Sequence, residues 1–222
     1  MADGMGRVIA IDGPSGSGKT TVARLVAKDL GLGYLDTGSL YRAIALALRE
    51  NQIVPEDNDD KISQVLKRTH IGFHQGKVLL NERDVSEEIR NAEIDHYSSV
   101  FSARKIIRDF LLDLQRNAGA TNDLVVEGRD TTTVVFPDAE KKIFLSASTE
   151  ERARRRYIQF KERGIEISMD QARRGIMERD ERDTNRDIAP LKIAPDALII
   201  DSSNLSVEQV RGKILEFIRS DP

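Results

Sequence analysis

The feature that most constrains this chain is a glycine-rich segment near its start, GPSGSGKT at residues 13–20. It follows the apolar run Val8–Ile11 and precedes a helical pattern that begins near Thr21. In a strand–loop–helix context, the pattern GxxxxGK[ST] turns backbone N–H groups toward an anion, which the helix dipole also attracts. The sequence therefore predicts a P-loop that binds a nucleoside triphosphate through Gly13, Pro14, Ser15, Gly16, Ser17, Gly18, Lys19, Thr20 and Thr21.

Two side chains of this loop have the chemistry to act on the bound nucleotide. Lys19 is expected to reach the β- and γ-phosphates, and the Thr20 hydroxyl is expected to help hold Mg²⁺. The chain has no NKxD motif of the kind that GTPases use to read guanine, and the run Leu124–Val126 ends in the single acidic residue Glu127. Motors and helicases need a pair of acidic residues there, so a small kinase that uses ATP and Mg²⁺ fits better.

Short apolar runs alternate with helical patterns, which predicts an α/β fold with a five-stranded parallel sheet flanked by helices. The runs are Val8–Ile11, Tyr34–Leu35, Leu124–Val126, Lys142–Leu145 and Ala197–Ile200. The helical patterns include Thr21–Leu30, Leu40–Arg49, Arg104–Arg116 and Val207–Ile218. Since ligands of such sheets collect at the carboxyl ends of the strands, functional side chains are expected just after each run.

Two stretches break this alternation. Residues 71–90 alternate in β fashion around Gln75-Gly76 and Asn81-Glu82, which indicates a small antiparallel insertion. Residues 150–189 are highly charged and are interpreted as a mobile helical lid, although the same pattern suits a solvated helix pair laced with salt bridges. The expectation is a single domain over residues 1–222 that carries both additions.

Composition excludes several classes of function. The 34 Lys and Arg against 37 Asp and Glu give a formal charge of −3, which argues against a general nucleic-acid binder. The absence of cysteine excludes disulfides, thiolate metal sites and cysteine nucleophiles. The sequence shows neither a signal peptide nor an apolar run near the ~20 residues of a membrane helix, so we expect a cytoplasmic protein without membrane contact, monomeric by default.

Arginines near the strand ends are candidates to hold an anionic acceptor. Arg42 follows the second run closely, and Arg129 with Asp130 follows the third. Thr37 or Ser39 could bind a ligand or simply cap the next helix. Arg108 points away from the centre of its helix's apolar stripe, which suits a solvated side chain as well as a ligand-binding one.

The lid carries a denser set of arginines. Arg179, Arg182, Asp183 and Arg186 are spaced to share one face of a helix, and Arg152 and Arg155 repeat the i, i+3 spacing earlier in the lid. Intrahelical ion pairs explain part of this pattern, at only ~0.3–0.5 kcal/mol for each exposed pair. Arginines that converge on one face repel one another unless an anion lies between them, and two nucleotides would supply it.

At this point a resemblance covers nearly the whole chain. The segments GPSGSGKTT, LDTGSLYRA, EGRDTTTVVFPDAEKKIFLSAS and ERDERDTNRDIAPL, in this order, resemble the bacterial-type cytidylate kinases. The resemblance implies a nucleoside-monophosphate kinase fold with an NMP-binding insertion at about 38–102 and an arginine-rich lid at about 150–189. It also implies CMP and dCMP as acceptors and ATP with Mg²⁺ as the donor.

The resemblance also implies roles for single residues. Arg42 and Arg129, with Thr37 beside them, resemble the ligands of the acceptor phosphate, and Ser99, Arg108 and Asp130 resemble the residues that read the cytosine edge. Arg179 and Asp183 resemble those that hold the ribose and the lid, and Arg182 and Arg186 those that neutralise the transferring phosphoryl group. The expected catalytic residues are Lys19, Arg155, Arg182 and Arg186.

Three positions depart from the pattern of that family. Glu127 stands where Asp is usual, Thr131-Thr132-Thr133 replaces a run similar to Met-Gly-Thr, and Thr37 stands where Ser is common. The first two flank Arg129 and Asp130, so the acceptor preference or the reaction rate could differ from those of the family. The alternatives are a P-loop kinase for another small acceptor, such as UMP or dephospho-CoA, and a non-catalytic nucleotide-binding regulator.

Overall fold

The structure is a computed structural model that describes residues 6–74 and 76–220. Gln75, which the sequence places in a turn of the predicted insertion, lies outside the described residues. The strands are β1 (Val8–Asp12), β2 (Gly33–Asp36), β3 (Ile71–His74), β4 (Lys77–Leu80), β5 (Arg83–Asp84), β6 (Leu124–Gly128), β7 (Lys141–Ser146) and β8 (Leu198–Asp201). The α-helices are α1 (Lys19–Leu30), α2 (Thr37–Glu50), α3 (Asp59–Leu66), α4 (Ala92–Phe101), α5 (Lys105–Thr121), α6 (Thr149–Glu162), α7 (Met169–Asn185) and α8 (Val207–Arg219), and Thr131–Val135 forms a π-helical turn.

A five-stranded sheet has the order β2-β6-β1-β7-β8, which confirms the predicted fold class. Strand β1 pairs in parallel with β6 on one side and β7 on the other, and β7 pairs in parallel with β8. The register aligns Asp12 with Gly128 and Phe144, so the carboxyl ends of the three central strands meet at one edge. The residues that follow β6 are therefore neighbours of the P-loop, as the sequence predicts.

The chain divides into two compact units. The P-loop unit comprises Gly6–Tyr34 and Asn122–Pro222, of which residues 6–34 and 122–220 are described, and the insert unit is Leu35–Thr121. The boundary between them falls inside strand β2. The expectation that 38–102 binds the monophosphate and that 150–189 moves as a lid stays a prediction.

The core of the P-loop unit explains why its strands could be read from sequence. Apolar side chains of the strands, such as Ile9, Val125 and Leu145, are buried against helices α1 and α8. Strands covered on both faces are apolar at nearly every position, which is the pattern of the predicted runs. This core gives the loops at the carboxyl edge a fixed base.

The insert unit contains helices α2 to α5 and a three-stranded antiparallel sheet. Its strand order is β3-β4-β5, which confirms the antiparallel insertion predicted in residues 71–90. Helices α3 and α4 were not predicted, since each is short. Each nevertheless begins after an asparagine whose side chain caps it, Asn58 for α3 and Asn91 for α4, so a signal was present.

Among the described residues, no helix combines the length and the apolar character that crossing a membrane requires.

Candidate active site

The P-loop is held in place by positions that tolerate only glycine. Gly18 adopts a left-handed conformation, with φ 95° and ψ 7°, directly before helix α1 begins at Lys19. At Gly13, where φ is +150°, a Cβ would lie 2.0 Å from the carbonyl oxygen of Leu145. The loop therefore follows the end of β7 so closely that any side chain at this position would displace one of the two segments.

Lys19 is the buried cation of the loop. Its side chain donates to the Pro14 carbonyl at 2.8 Å and approaches the Ser17 hydroxyl at 3.4 Å, and the residue is only 5% exposed. Burial and the positive charge of Arg129 hold the pKa of Lys19 well below its ordinary value, although Glu127 and Asp12 act in the opposite direction. An anion placed beside this ammonium group would relieve the cost of burying it.

Asp12 joins the P-loop to the segment that follows β6. It is fully buried, and its two carboxylate oxygens accept four hydrogen bonds from Thr131 and Thr132. One oxygen accepts from the Thr131 N–H at 3.0 Å and hydroxyl at 2.7 Å, and the other accepts from the Thr132 N–H and hydroxyl, both at 2.7 Å. No pattern in the sequence indicated this contact, which joins residues about 120 positions apart.

Glu127, the acidic residue at the end of β6, is buried and also has a defined partner. The Tyr34 hydroxyl donates a hydrogen bond to its carboxylate. The guanidinium of Arg24 lies over the Tyr34 ring, 5.2 Å from its centroid. The longer side chain that stands here in place of Asp is thus tied to the neighbouring strand β2.

A network of arginines surrounds Asp183, which lies in helix α7. Arg129 donates to the Asp183 carboxylate from its Nε at 2.9 Å, and the Nε of Arg179 lies 3.9 Å from the same oxygen. Burial acts to raise the pKa of Asp183, but the charges of Arg129, Arg179 and Arg186 outweigh it, so the pKa lies below its ordinary value. Converging arginines need an anion between them, and the Asp183 carboxylate supplies part of that negative charge.

Arg186 is the C-cap of helix α7, and its N–H still donates to the Arg182 carbonyl at 3.2 Å, as a helical residue would. Helix α7 ends at Asn185, and Arg186 adopts an extended conformation with φ −65° and ψ 142°. Its side chain donates to the Ala189 carbonyl at 2.6 Å and to the Asp130 carboxylate at 3.2 Å. The chain thus leaves the helix where Arg186 pairs with Asp130, while Arg182 stays within the helix and is half-buried.

Helix α6 contacts the P-loop backbone through two arginines. Arg152 donates to the Ser15 carbonyl at 3.3 Å and to Asp180 of helix α7 at 2.6 Å. Arg155 donates to the Ser17 carbonyl at 3.2 Å and to the Ser202 hydroxyl at 3.0 Å. Ser202 itself donates to the Ser17 carbonyl at 3.0 Å, a contact that the sequence did not indicate.

In the insert unit, the first turn of helix α2 has a different cap from those considered in the sequence. The N-cap is Asp36, whose carboxylate accepts from the Ser39 N–H at 3.0 Å, so the idea that Thr37 or Ser39 caps the helix was wrong. Thr37 is buried in that first turn.

The predicted ligand residues of the insert unit are mostly buried polar groups. Arg42 lies within ion-pair distance of two carboxylates, 3.6 Å from Asp36 and 3.1 Å from Asp95. Arg108 is only 6% exposed, which makes the solvated interpretation wrong. Its guanidinium donates to a backbone carbonyl at 3.2 Å and lies 5.6 Å from the Tyr41 ring centroid. Ser99 is buried as well.

No group of three or more histidine, aspartate or glutamate side chains suited to a metal ion occurs within residues 6–74 and 76–220. A metal bound by protein ligands alone is thus not indicated there. A metal that also takes oxygens from nucleotide phosphates needs fewer protein ligands, and the loop offers the Thr20 hydroxyl as one of them.

Comparisons with known proteins agree with this geometry. The family model for cytidylate kinase matches residues 9–220. Similar proteins include the cytidylate kinases of Thermosipho melanesiensis, 48% identical over 95% of this chain and 96% of that protein, and of Thermodesulfovibrio yellowstonii, 45% identical over 98% and 100%.

Solved structures share the fold at low identity. An uncharacterized protein from Eubacterium ventriosum matches with a TM-score of 0.55 and 13% identity over 97% of this chain and 99% of that one. Shikimate kinase from Bacteroides thetaiotaomicron matches with a TM-score of 0.50 and 10% identity over 96% and 99%. These likenesses concern the fold alone.

Proposed function

This chain belongs to the cytidylate kinase family, and we propose that it transfers the γ-phosphoryl group of ATP to the phosphate of CMP or dCMP, yielding ADP and CDP or dCDP. The observation that carries the proposal is the collection of cations at the carboxyl edge of the sheet. Buried Lys19 is accompanied there by Arg129 and Arg179, whose charges act on it. Such a concentration of positive charge suits phosphate groups.

On the donor side, we propose that the P-loop backbone from Gly13 to Thr21 surrounds the triphosphate of ATP. The ammonium of Lys19 already points at loop oxygens, those of Pro14 and Ser17, so a short movement of its side chain would exchange them for phosphate oxygens. Binding of the anion would favour the charged form of Lys19, whose pKa burial lowers.

On the acceptor side, the proposed ligands are the polar side chains that the family resemblance indicates. They are Thr37, Arg42, Ser99, Arg108, Arg129, Asp130, Arg179, Asp183 and Arg186. Most of these side chains are held by ion pairs or hydrogen bonds in this structure, such as Arg129 to Asp183 and Arg42 to Asp95. Held in this way, a side chain loses less conformational entropy when a nucleotide binds.

The main obstacle to the reaction is charge. Two anions must approach in line, and the acceptor phosphate needs no general base because its second pKa near 6 leaves it largely ionised at neutral pH. Lys19, Arg155, Arg182 and Arg186 are proposed to offset this charge as the phosphoryl group moves. A single arginine in such a role contributes about 10³–10⁵ in rate.

Mg²⁺ fits the donor set of the site. Mg²⁺ prefers oxygen ligands and is commonly bound by one or two protein groups together with substrate phosphates. The Thr20 hydroxyl is the proposed protein ligand, and the remaining ligands would come from phosphate oxygens and water. When bound, the ion would neutralise negative charge on the ATP phosphates.

Residues 150–189 are proposed to act as a lid that excludes water from the phosphoryl group, and residues 38–102 to bind the monophosphate. The contacts of Arg152 and Arg155 with the P-loop carbonyls support a lid whose first helix stays anchored at its base. We further propose that the enzyme works as a monomer in the cytoplasm, where ATP and nucleoside monophosphates occur together.

An acceptor screen tests the proposal. Purified protein is given ATP and Mg²⁺ with CMP, dCMP, UMP, AMP or dephospho-CoA, and ADP release is measured by a coupled assay. CMP and dCMP should be preferred at least tenfold in kcat/KM. Equal rates with UMP would remove the cytosine assignment, and absence of ADP with every acceptor would favour a non-catalytic regulator.

A second experiment tests the assignment of the lid. Arg182→Ala should lower kcat far more than it weakens ATP binding, since the arginine is proposed to act on the moving phosphoryl group. Arg174→Ala, at an exposed position of the same helix, is the matched control. An unchanged kcat in the Arg182 variant would remove it from this role.

A further inference from the structure

Asp12 occupies a position that the reaction scheme above does not use. It is the last residue of β1 and directly precedes the P-loop, and it is completely buried. Both carboxylate oxygens are directed at Thr131 and Thr132, and each oxygen accepts one N–H and one hydroxyl at 2.7–3.0 Å. One side chain therefore receives four hydrogen bonds from two consecutive residues.

The residues that Asp12 holds begin an unusual turn. Thr131–Val135 is π-helical, and the Asp130 carbonyl accepts from the N–H groups of both Val134 at 2.9 Å and Val135 at 3.1 Å. Isolated π-helical turns are rare and often occur at functional sites, because the backbone gains little from them without support from the rest of the fold. The Asp12 carboxylate supplies that support from the neighbouring strand.

The π-helical turn lies directly after two proposed acceptor ligands, Arg129 and Asp130. Arg129 and Asp130 immediately precede Thr131 in the chain, and each is committed to an ion pair with the lid segment, Arg129 with Asp183 and Asp130 with Arg186. A shift of the turn would move both ion pairs relative to the P-loop. The position of Asp12 thus sets where the acceptor ligands stand with respect to the donor loop.

We propose that Asp12, Thr131 and Thr132 form a clamp that positions Arg129 and Asp130 for acceptor binding, and that the two threonine hydroxyls are required for its rigidity. This inference rests on the proposed function for its kinetic readout. The backbone N–H groups supply only half of the four hydrogen bonds. The hydroxyls supply the other half and also fix the rotamers of two β-branched side chains inside the protein.

The chain contains a matched control for this proposal in the next residue. The Thr133 hydroxyl is buried, and no described residue forms a hydrogen bond with it. Replacing any of these threonines by valine removes a hydroxyl and keeps the shape. Only the replacements at 131 and 132 remove hydrogen bonds to Asp12.

The experiment compares T131V/T132V, T131S/T132S and T133V with the unaltered protein. We expect the KM for CMP to rise about tenfold in T131V/T132V, the equivalent of losing one charge-assisted hydrogen bond, while the KM for ATP changes less than twofold. T131S/T132S should return the KM for CMP to near its original value because the hydroxyls are restored, and T133V should leave it unchanged. Deuterium exchange of the amides in residues 128–136 should accelerate only in the double valine variant.

Several results would overturn the clamp. They are an unchanged KM for CMP together with unchanged exchange in T131V/T132V, a serine variant as impaired as the valine variant, and an equal effect of T133V. If T131V/T132V fails to fold, T132V alone is measured against T133V with the same expectations at smaller size, and equal behaviour of these two refutes the proposal. If the unaltered protein does not phosphorylate CMP, the proposed function fails, while the exchange measurement still tests whether the hydroxyls hold the turn.

Discussion

Replacing Asp183 by asparagine tests the electrostatic arrangement of the lid directly. The carboxylate is the shared counter-ion of the arginine network in helix α7 and after β6, at 2.9 Å from Arg129 and 3.9 Å from Arg179. Asparagine keeps the size of the side chain and one acceptor oxygen, but it removes the negative charge. The arginines would then repel one another without compensation.

The expected loss follows from the burial of this group. Removing one partner from a buried ion pair costs about 3–5 kcal/mol, because the remaining charge is left unpaired. The Asp183 side chain is only 5% exposed, but those of Arg129 and Arg179 are 19% and 16% exposed, so water screens part of their charge. We therefore expect Asp183→Asn to lower the free energy of unfolding by about 3 kcal/mol. For a chain of this size, that loss lowers the Tm by about 6–12 °C.

Thermal unfolding followed by circular dichroism measures this loss. Glu181→Gln removes the same charge at an exposed position of the same helix and should change the Tm little. Sulfate, compared with chloride at equal ionic strength, should stabilise the Asp183→Asn variant more than the unaltered protein, because a divalent anion takes the place of the missing carboxylate. Equal stabilisation of both proteins would contradict the idea that the arginines need an anion.

The same stabilisation should depend on pH in a defined direction. The pKa of Asp183 in the folded protein lies below its ordinary value of 3.8, so the stabilisation is fully present above that value and is lost as the pH falls through the folded-state pKa. The Tm difference between the two proteins should stay constant from about pH 7 to 5 and shrink below about pH 4. A Tm difference below 2 °C at pH 7 would refute the reasoning.

Three further predictions concern the P-loop and the strand end beside it. Lys19→Met should lower kcat by about 10³-fold or more, yet it should not lower the Tm of the nucleotide-free protein, because it removes a buried charge whose pKa burial depresses. Gly13→Ala should cost about 3 kcal/mol in urea unfolding, since its Cβ would lie 2.0 Å from the Leu145 oxygen; a stable variant would show that the loop moves freely. Tyr34→Phe should lower the free energy of unfolding by about 1–3 kcal/mol, because the buried Glu127 carboxylate loses the hydrogen bond from the Tyr34 hydroxyl. Glu127→Asp shortens the side chain and withdraws the carboxylate from Tyr34, so urea unfolding should show a similar loss of stability and not a gain.

Much of the framework could be predicted from the sequence because its signals are local. The P-loop pattern fixes a strand, a loop and a helix together, and β1 begins at Val8 as predicted and ends one residue later, at Asp12. Strand β6 is buried along its whole length, and its first three residues are apolar; β7 and β8 are only partly buried but each contains a short apolar run. The placement of Arg129 beside the P-loop followed from the assumption that β1 and β6 are neighbours, which the sheet order confirms.

The remaining features depend on partners distant in the chain. Helical spacing placed Arg186 with Arg179 and Arg182, but it did not show that the helix ends at Asn185 or that Arg186 pairs with Asp130. The spacing of Arg108 suited a solvated side chain as well as a ligand-binding one, and only the fold shows that it is buried near the Tyr41 ring. Spacing reports the face of a helix; it does not report what covers that face.

The departures in sequence show the same limit. Thr131 and Thr132 could be recognised as unusual, but a reading of the chain does not reveal that a carboxylate at residue 12 receives their hydroxyls. Glu127 could likewise be recognised as a departure from Asp, but the sequence does not show that its carboxylate accepts a hydrogen bond from Tyr34. The sequence shows which residues depart from the family pattern, but only the structure shows which distant residues they contact.

The contacts made by the Ser17 carbonyl have a consequence for the amide that follows it. A trans peptide is planar, so its C=O and N–H bonds point in opposite directions. Arg155 and Ser202 draw the Ser17 oxygen toward themselves at 3.2 and 3.0 Å, and they thereby turn the N–H of Gly18 to the opposite side of the same peptide plane. The two side chains thus orient one of the backbone dipoles that are proposed to receive phosphate groups.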